Sequence, residues 1–523
     1  MTEEGPRPDA GPWWREAVVY QIYPRSFADG NGDGVGDLEG IRSRLGYLSW
    51  LGVDALWLSP FYPSPMKDFG YDVADYCNVD PVFGDLEAFD RMVEEAHSLG
   101  IRILVDLVPN HTSDQHPWFV ESRSSRDSPK RHWYIWRDGT PDKPPNNWRS
   151  AFTGESAWTW DEATSQWYLH LFLPEQPDLN WAEPEVEEAM HGVMRFWLDR
   201  GVDGFRIDVV HAIGKDPALP DSPPELILQP RASVHDDPAT HPLLRRIRAL
   251  ADSYDHKPVL VGEVHLLDTA KIGEYYGQDD ELHLAFNFPA LYAPWDAEAW
   301  KEQLRRADEI FGPVNAWPTW VLSNHDDPRH RSRYGGSEAA ARAAAVLLLT
   351  LRGTPFMYQG EELGLENAVI PPDRKVDPGN RDGCRAPIPW DRSPNHGWGP
   401  DPWLPWPPEP ETRNVEAEKA DDSSILHLYR RLLQLRRSSP ALRLGDMKLL
   451  DSAPGTLAYE RALADERFVV VVNFSNESVE VSRGGLGLHD AAVMPLLGSA
   501  LEASNAGQRI EIRAKAATVL KVG

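Results

Sequence analysis

In Gly204-Phe205-Arg206-Ile207-Asp208-Val209, a short apolar strand runs directly into a carboxylate. Two later stretches repeat this pattern, namely Val261-Gly262-Glu263-Val264-His265 and Ser323-Asn324-His325-Asp326-Asp327. A β/α barrel places its reacting groups at the carboxyl ends of its parallel strands. The three stretches therefore predict a barrel that brings acidic side chains from distant strands together.

Short runs of β-branched and aromatic residues alternate along the chain with amphipathic helical patterns, which is typical of βαβ units and a parallel sheet. We find eight such runs, the number that closes an α/β barrel of the (β/α)8 TIM type. They are residues 18–23, 55–58, 103–107, 204–207, 259–261, 283–286, 320–322 and 355–358.

Two stretches rich in Pro, Trp and Asp interrupt the alternation, and loops that follow barrel strands are where pockets are built. We predict a barrel formed by residues 1–107 and 181–444, with an inserted domain at 108–180 after the third strand. A second excursion, at about 365–412, would lie on the same rim. Strand-like runs separated by turns predict a C-terminal antiparallel β-sandwich of residues 445–523.

The charge and the cysteine content narrow the class of protein. The chain of 523 residues carries 53 basic and 81 acidic side chains, a net charge of -28, which disfavours nucleic acid or anionic lipid as a partner. Residues 1–8 lack a secretory pattern, and the apolar run 343–351 is too short to span a bilayer. Two cysteines, Cys77 and Cys384, exclude a disulfide framework but leave a single bridge open. We expect a cytoplasmic protein without membrane partners, monomeric or homodimeric.

Three converging carboxylates suit the cleavage of a glycosidic bond, which needs one carboxylate as nucleophile and one carboxylic acid as proton donor. Arg206 lies two residues before Asp208 and points to the same face of the strand, where it can keep Asp208 ionised. Glu263 is the candidate acid. We expect burial and the nearby carboxylates to raise its pKa.

Five segments in chain order resemble the signatures of the α-amylase superfamily of glycoside hydrolases, family 13, and within it the oligo-1,6-glucosidase and α-glucosidase branch. They are Asp106–His111, Gln176–Asn180, Gly204–Val209, Gly262–His265 and Asn324–Asp326. The resemblance runs from about Trp14 onward. It implies a retaining mechanism with Asp208 as nucleophile and Glu263 as acid/base. Asp326 would bind the sugar 2- and 3-hydroxyls and stabilise the transition state.

The resemblance also implies a glucose pocket that is closed at one end. In Asp68-Phe69-Gly70-Tyr71, Tyr71 would stack under the innermost glucose, and Asp68 would hold its non-reducing end together with an arginine. Arg381 is the expected arginine and Arg385 the alternative. The other substrate-binding residues that the resemblance implies are His111, Phe152, Arg206, Val209 and His325, the histidines as donors to glucose hydroxyls. A closed pocket implies exo action, with one glucose released at a time from a small oligosaccharide.

The segment Asp29-Gly30-Asn31-Gly32-Asp33-Gly34-Val35-Gly36-Asp37 places oxygen ligands at alternate positions, with a glycine at the sixth, like the first part of a calcium loop. An EF-hand has a glutamate at the twelfth position, where this chain has Gly40. The segment resembles instead the metal loop after the first strand in this branch. That resemblance implies a stabilising Ca²⁺, with Mg²⁺ as the alternative, and no organic cofactor. The ligands would be Asp29, Asn31, Asp33, Asp37 and the Val35 carbonyl.

Val209 bears on which bond is cleaved, because in this branch valine after the nucleophile accompanies α-1,6 activity and threonine accompanies α-1,4 activity. A hydroxyl in place of a methyl group at this position shifts selectivity by only about 1 to 3 kcal/mol. We therefore expect activity on isomalto-oligosaccharides, with malto-oligosaccharides as the alternative.

Two other kinds of protein share these features. α-Glucosyltransferases, trehalose synthases and sucrose-active members of the superfamily use the same catalytic residues, although the arginine-rich loop of the sucrose isomerases is not evident near residues 331–334. Non-catalytic amylase-like subunits of membrane transporters form the other class. That class predicts a transmembrane helix and a damaged triad, and the sequence indicates neither.

Overall fold

The computed structural model describes residues 11–223, 236–489, 491–498 and 508–523. Its strands, labelled in chain order, are β1 Val19–Ile22, β2 Ala55–Leu58, β3 Arg102–Leu107, β4 Trp136–Arg137, β5 Trp158–Asp161, β6 Gln166–Leu169, β7 Gly204–Ile207, β8 Val259–Gly262, β9 Leu284–Ala285, β10 Thr319–Val321, β11 Thr354–Tyr358, β12 Asp446–Leu450, β13 Thr456–Leu463, β14 Glu466–Asn473, β15 Val479–Ser482, β16 Val493–Gly498, β17 Arg509–Ile512 and β18 Ala517–Val522.

The α-helices are Trp13–Glu16, Leu38–Ser43, Leu45–Leu51, Leu86–Ser98, Pro117–Ser124, Pro184–Leu198, Thr240–Asp252, Thr269–Glu274, Phe288–Leu291, Ala297–Phe311, His330–Arg333, Glu338–Thr350, Val415–Lys419, Ile425–Ser438 and Pro440–Leu444. Single 3₁₀ turns occur at Pro24–Ser26, Arg131–Trp133, Val210–Ala212, Gly312–Val314 and Pro372–Arg374. None of the helices in these described ranges is long and apolar enough to cross a lipid bilayer.

Eight parallel strands form the barrel, in the order β10-β11-β1-β2-β3-β7-β8-β9. The two outer strands of this order meet through a side chain, because the Thr319 hydroxyl donates to the Ala285 carbonyl at 2.7 Å. The predicted α/β barrel is confirmed, and each predicted run overlaps one of the strands, with ends that differ by one residue at most. The run 283–286 forms a ladder only over Leu284–Ala285.

The chain between β3 and β7 carries a small antiparallel sheet in the order β4-β6-β5. Its apolar side chains form a cluster with residues that follow β7. Ile135, Trp148 and Trp158 come from the insertion, and Val209 and Leu219 from the barrel loop. The inserted segment is therefore packed against the residue that directly follows Asp208.

The C-terminal part is antiparallel, with a five-stranded sheet in the order β12-β13-β14-β18-β16 and a two-stranded sheet of β15 and β17. Alternate residues of β14, such as Val469 and Val471, pack in one cluster with Val481 and Ile510 of the smaller sheet. The intervening residues of β14 belong to the main core that includes the barrel helices. This alternation is the reason why the sheets stack as the predicted sandwich.

Candidate active site

The carboxyl ends of the barrel strands bring most of the predicted site residues to one cavity of about 80 Å³. The cavity is lined by Asp68, Tyr71, His111, Ala151, Phe152, Phe172, Asp208, Val209, His211, Glu263, His265, Phe288, Asn324, Asp326, Asp327 and Arg381. Three predicted residues, Arg206, His325 and Arg385, do not line it, but each contacts residues that do. The three quoted stretches therefore meet at one place.

Arg206 connects three carboxylates from neighbouring strands. Its Nη1 lies 2.7 Å from Asp106 and 2.5 Å from Asp208, and its Nη2 lies 2.6 Å from Glu263. Asp106 is also the acceptor for the Trp57 indole N–H at 2.9 Å. One guanidinium thus faces three acidic groups, all of them buried, so this cluster keeps an excess of negative charge unless it holds protons.

The pKa values in this cluster differ from the sequence-based expectation. Burial raises the pKa of Asp208 well above its ordinary value, and Arg206 only partly opposes this. Burial also favours the protonated form of Glu263, but Arg206 and the backbone N–H of Val209 lower its pKa overall. The direction predicted for the Glu263 pKa is therefore wrong, and at Asp208 burial outweighs the predicted effect of Arg206, because this one guanidinium contacts both carboxylates.

Asp68, Asp326 and two arginines close one end of the cavity. Arg381 donates through Nη2 to Asp68 at 2.5 Å and through Nη1 to Asp326 at 2.9 Å. Arg385 donates to Asp326 at 3.0 Å, so the arginine that pairs with Asp68 is Arg381. Burial favours protonation of Asp326, but the adjacent imidazole of His325 and both guanidinium groups hold its pKa well below the usual range.

Asp377 supports this end from behind. Its carboxylate accepts hydrogen bonds from Arg381 Nη2 at 2.6 Å and Nε at 3.0 Å, and it lies 3.3 Å from Nη1 of Arg385. The Asp377 side chain has no exposed surface. Asp377 lies in the rim loop and holds both guanidinium groups in place. The guanidinium group of Arg381 also lies 5.1 Å from the centre of the Phe152 ring.

His325 lies beneath Tyr71 and is buried. Its Nδ1 is 2.7 Å from the amide nitrogen of Gln21, which donates, so the proton of the neutral ring is on Nε2. Nε2 is 2.7 Å from the Tyr71 hydroxyl, and the two rings stack 5.4 Å apart with an angle of 7°. Burial lowers the pKa of His325 to about 3. In this structure the N–H of the His325 ring is directed at the Tyr71 hydroxyl, and Tyr71 rather than His325 lines the cavity.

His111 lines the cavity itself. Its Nε2 is 3.2 Å from the Tyr71 carbonyl and 3.1 Å from the amide nitrogen of Gln176. That amide also donates to Asp68 at 3.0 Å, so the Gln176-Asp178 segment connects His111 with the closed end. Burial lowers the pKa of His111 to about 4, and the ring is neutral at pH 7.

Val209 has a left-handed backbone, with φ +33° and ψ 43°. A β-branched residue is rarely found there, because its side chain crowds the backbone. Its N–H donates to Oε2 of Glu263 at 3.1 Å, and its side chain lines the cavity. The strained turn thus directs the chain away from β7 and places the amide against Glu263.

Some lining residues had no role in the sequence-based prediction. They are Phe172, His211, His265, Phe288, Asn324 and Asp327. A signal was available for Asp327, which lies in a quoted stretch next to Asp326, and for Asp106, a carboxylate near the carboxyl end of β3. Phe172 and Phe288 lie in loops without a local motif, so only the folded chain identifies them.

The predicted metal loop is a tight turn whose carboxylates accept backbone N–H groups. Asp29 accepts from Gly32 at 2.6 Å and from Gly34 at 2.8 Å, and Asp37 accepts from Gly40 at 2.6 Å. Burial raises the pKa of Asp37, and the like charges of the other loop aspartates add to this. Within the described ranges, the group of acidic and imidazole ligand atoms lying within 4.8 Å of one another is elsewhere, at Asp236, His241 and Glu274.

The oxygen donors of the loop are of the type that suits a hard cation, whereas the present spacing of these oxygens does not suit one. Every donor that the loop offers is a carboxylate, amide or carbonyl oxygen, the type that Ca²⁺ and Mg²⁺ prefer. Asn31 and Asp33 are exposed, Asp29 is half-buried and Asp37 is buried.

The family comparison covers most of the chain. Residues 21–445 match the family described as "Alpha amylase, catalytic domain". A probable alpha-glucosidase from Rhizobium meliloti is 42% identical over 89% of this chain and 90% of its own length. An oligo-1,6-glucosidase from Parageobacillus thermoglucosidasius is 40% identical over 89% and 91%. A trehalose-6-phosphate hydrolase from Escherichia coli is also 40% identical, over 89% and 91%.

Solved structures agree over nearly the whole length. An alpha-glucosyl transfer enzyme matches with a TM-score of 0.92 at 39% identity, covering 98% of this chain and 100% of that structure. A trehalulose synthase variant in complex with Tris matches with a TM-score of 0.92 at 36% identity, with the same coverage. The glucosidases and hydrolase named above and these two structures are thus similar to this chain at 36 to 42% identity.

Proposed function

Because the chain belongs to the α-amylase family of glycoside hydrolases, we propose that it is an exo-acting retaining α-glucosidase. It would release glucose from the non-reducing end of short α-glucosides. The observation that carries the proposal is the pair Asp208 and Glu263, held by one guanidinium in a cavity that Asp68 and Arg381 close at one end.

In the first step the Asp208 carboxylate attacks the anomeric carbon, and Glu263 gives a proton to the departing glycosidic oxygen. Water then attacks the glucosyl-enzyme, with Glu263 taking its proton. In this cluster the pKa of Asp208 is raised and that of Glu263 is lowered, whereas the first step needs an ionised Asp208 and a protonated Glu263. We therefore expect substrate binding to change the pKa values of both carboxylates.

The closed end supports exo action. Arg381 and Asp68 come from two different loops and meet at one end of the cavity, and Phe152 lies beside the guanidinium. A glucan chain running through the pocket would have to displace this buried ion pair, and breaking one buried pair costs about 3 to 5 kcal/mol. Recognition of a terminal glucose by its hydroxyls needs no such displacement.

For the linkage, we propose isomaltose-type α-1,6 bonds, with α-1,4 bonds as the second choice. Val209 lines the cavity, and its backbone contacts Glu263, so its side chain would lie beside the leaving group. Among the compared relatives both an alpha-glucosidase and an oligo-1,6-glucosidase occur. The ratio of kcat/KM for isomaltose and maltose tests the choice, and a strong preference for maltose would contradict it.

We also propose that the loop of Asp29, Asn31, Asp33, Val35 and Asp37 binds Ca²⁺, or Mg²⁺, in a stabilising role. Bound there, the ion would offset two of the three negative charges of its aspartates. The loop follows β1 on the outside of the catalytic cavity and shares no lining residue with it. Its effect would therefore appear in stability rather than in the chemical step.

Glucosyl transfer is the second candidate function, because an alpha-glucosyl transfer enzyme and a trehalulose synthase share the fold along nearly the whole chain. Transfer uses the same glucosyl-enzyme, with a sugar hydroxyl in place of water. Product analysis at low and high isomaltose concentration separates the two functions. A yield of new oligosaccharides that exceeds free glucose even at low substrate would favour transfer.

The direct test of the catalytic roles is Asp208→Asn, with release of glucose from isomaltose, maltose, sucrose, trehalose and p-nitrophenyl α-glucoside as readout. We expect at least a 10³-fold loss on every substrate that the wild type cleaves, since the nucleophile is removed. A binding-only protein would have no activity in either form. Asp373→Asn, an exposed aspartate on the rim, is the matched control.

A further inference from the structure

We propose that the chain has a second ligand site, between the inserted segment and the barrel loop after β7, which binds a phosphate-bearing small molecule. The site is a cavity of about 450 Å³, and none of the described residues lines both it and the catalytic cavity. Pockets for small molecules measure about 300 to 1,000 Å³. We call it the insertion cavity, and the lining residues that carry the inference are Arg131, Ile135, Trp136, Arg137, Lys215 and Leu219.

Two parts of the chain form the insertion cavity. The inserted segment contributes the 3₁₀ turn Arg131–Trp133 and β4, Trp136–Arg137, and the barrel contributes the loop that contains Leu219. The two parts are joined at the cavity, because Nη2 of Arg137 donates to the Pro217 carbonyl at 3.1 Å. The shape of the cavity is therefore fixed by both segments.

Arg131 is almost completely buried, and within the described chain it has no carboxylate partner. It is 3% exposed. Its guanidinium donates to the Ser122 carbonyl at 3.0 Å, to the Thr164 hydroxyl at 3.0 Å and to the amide oxygen of Gln166, and it lies 3.4 Å from the centre of the Trp136 ring. Burial lowers the pKa of Arg131 to about 10. A buried charge is unfavourable unless an opposite charge lies beside it.

The carboxylates that act on Arg131 from a distance are Asp161 and Asp138, and both belong to other ion pairs. Asp161 accepts from Nε of Arg123 at 2.7 Å, and Asp138 pairs with Arg126. The positive charge of Arg126 lowers the pKa of Arg131 further. Positive charge is therefore in excess on this side of the insertion cavity.

Arg137 lines the same cavity, and its hydrogen bonds among the described residues go to neutral acceptors only. Its Nη1 donates to the Trp136 carbonyl at 2.8 Å, and its Nη2 donates to Pro217. Burial lowers its pKa as well. On a chain with a net charge of -28, acidic partners are abundant. Two arginines without one in a single cavity favour an anionic ligand.

The other charged residues of the insertion cavity do not compensate these two arginines. Asp127 and Asp216 line it but are exposed, so water and salt screen their charges. Lys215 is already paired with Asp178, at 3.0 Å. The two guanidinium groups match a phosphate monoester, which carries close to two negative charges at pH 7 and accepts bidentate hydrogen bonds from arginine.

Apolar side chains form another part of the lining. Ile135, Trp136 and Leu219 are each less than a tenth exposed. Apolar groups beside the two arginines lower the local dielectric constant and strengthen the attraction for an anion. The ligand is therefore a phosphate group, either free or carried by a small sugar.

The test is calorimetric titration of the protein with inorganic phosphate, glucose 6-phosphate and glucose. We expect both phosphates to bind, and Arg137→Gln to raise their Kd at least about 10-fold, since hydrogen bonds from a charged donor are lost. Arg149→Gln is the matched control. Arg149 is exposed in the same insertion, donates to the Gly154 carbonyl at 2.8 Å and lines neither cavity, so the control should keep the wild-type Kd.

The same titrations distinguish the two sources of phosphate. Tighter binding of glucose 6-phosphate than of inorganic phosphate, lost in Arg137→Gln, would identify a sugar phosphate as the ligand. Equal binding of both would show that the phosphate group alone is recognised. Binding of glucose with a Kd that Arg137→Gln leaves unchanged is expected, because glucose would occupy the catalytic cavity.

Arg137→Lys is the second variant, since it keeps the charge but not the planar fork, and its Kd should lie between those of the wild type and Arg137→Gln. Melting temperatures establish that the variants fold. Failure of both phosphates to bind the wild type, or an equal Kd in the wild type and Arg137→Gln, would overturn the inference. The inference goes beyond the proposed function and does not depend on it, because the titrations need no catalysis.

Discussion

The backbone N–H of Val209 donates a hydrogen bond to Oε2 of Glu263 at 3.1 Å. The residue that follows the proposed nucleophile is thereby joined to the proposed acid/base. The bond depends on the left-handed turn at Val209, where φ is +33°, because an extended residue would continue the direction of β7. It also favours the ionised form of Glu263.

Val209→Thr should change the linkage preference and leave the turn intact. Threonine is β-branched like valine, so the strained backbone and its N–H are retained, and a hydroxyl replaces one methyl group beside the leaving group. We expect the ratio of kcat/KM for maltose over isomaltose to rise by about 10-fold, within the 1 to 3 kcal/mol that such a change provides.

The control for this substitution is Val120→Thr, on an exposed helix position, which should leave the ratio unchanged. If the ratio of kcat/KM for maltose over isomaltose is unchanged in Val209→Thr, Val209 does not determine which linkage is cleaved. A general loss on both sugars would point instead to a displaced Glu263.

Asp106→Asn should move the acid limb of the pH profile. The negative charge of Asp106 contributes to the raised pKa of Asp208, so its removal lowers that pKa and the nucleophile ionises at lower pH. Asparagine keeps an oxygen to accept from Trp57. We expect the acid limb of kcat/KM for p-nitrophenyl α-glucoside to shift by about one pH unit downward, and a shift upward would contradict the arrangement.

Asp377→Asn should weaken binding of the terminal glucose. Asp377 contacts both Arg381 and Arg385, and without its charge the two guanidinium groups are less firmly placed against Asp68 and Asp326. A misplacement of this kind costs about 100-fold in kcat/KM. Asp373→Asn, four residues earlier and exposed, is the control. If Asp377→Asn lowers the melting temperature but not kcat/KM, the residue serves folding alone.

Acid should destabilise the fold through its buried histidines. Burial lowers the pKa of His111 to about 4 and that of His325 to about 3, below the ordinary value near 6.5. Between these values the unfolded chain binds more protons than the folded one. Their stability contribution is therefore complete above about pH 6.5 and is lost as the pH falls.

The measurement is the free energy of unfolding against pH, from pH 7 to 4.5. In His325→Gln the slope should decrease by about 1.4 kcal/mol per pH unit. The exposed His132, changed to Gln, is the control and should keep the wild-type slope. Equal slopes in all three proteins would mean that His325 titrates normally.

Calcium should raise the melting temperature of the protein without changing kcat. At a hundredfold excess over Kd, a bound ligand contributes about 2.7 kcal/mol. Asp33→Asn should lose this response, whereas Asp465→Asn, in an exposed turn of the C-terminal sheet, should keep it. If only Mg²⁺ raises the melting temperature, the bound ion is Mg²⁺ rather than Ca²⁺. If neither ion raises it, the proposed site is contradicted.

The sequence predicts the barrel and the meeting of Asp208, Glu263 and Asp326 well, because strand ends carry the pattern locally. The pKa values could not be predicted, since they depend on the register between strands. Asp106 lies directly beside Arg206 in the β3 and β7 ladder, and this pairing divides one guanidinium among three carboxylates. No local motif in the sequence indicates which residues of two distant strands lie opposite each other in the sheet.

The rim loops were harder to predict for a related reason. The sequence left Arg381 and Arg385 as alternative partners of Asp68, because a loop of glycine and proline has no periodic direction. The structure distinguishes them through Asp377, which accepts from the backbone N–H of Arg381 at 2.7 Å and fixes its side chain. The aromatic residues Phe172 and Phe288 reach the cavity only through the overall path of their loops.

The apolar cluster that joins Trp148 and Trp158 of the insertion to Val209 and Leu219 of the barrel loop has a consequence for how such enzymes diversify. The insertion and the residue after Asp208 cannot be exchanged independently between relatives. A chimera that carries a foreign insertion would inherit a Val209 turn without the side chains that hold it. The proposed role of Val209 in linkage selection therefore extends to the inserted segment that packs against it.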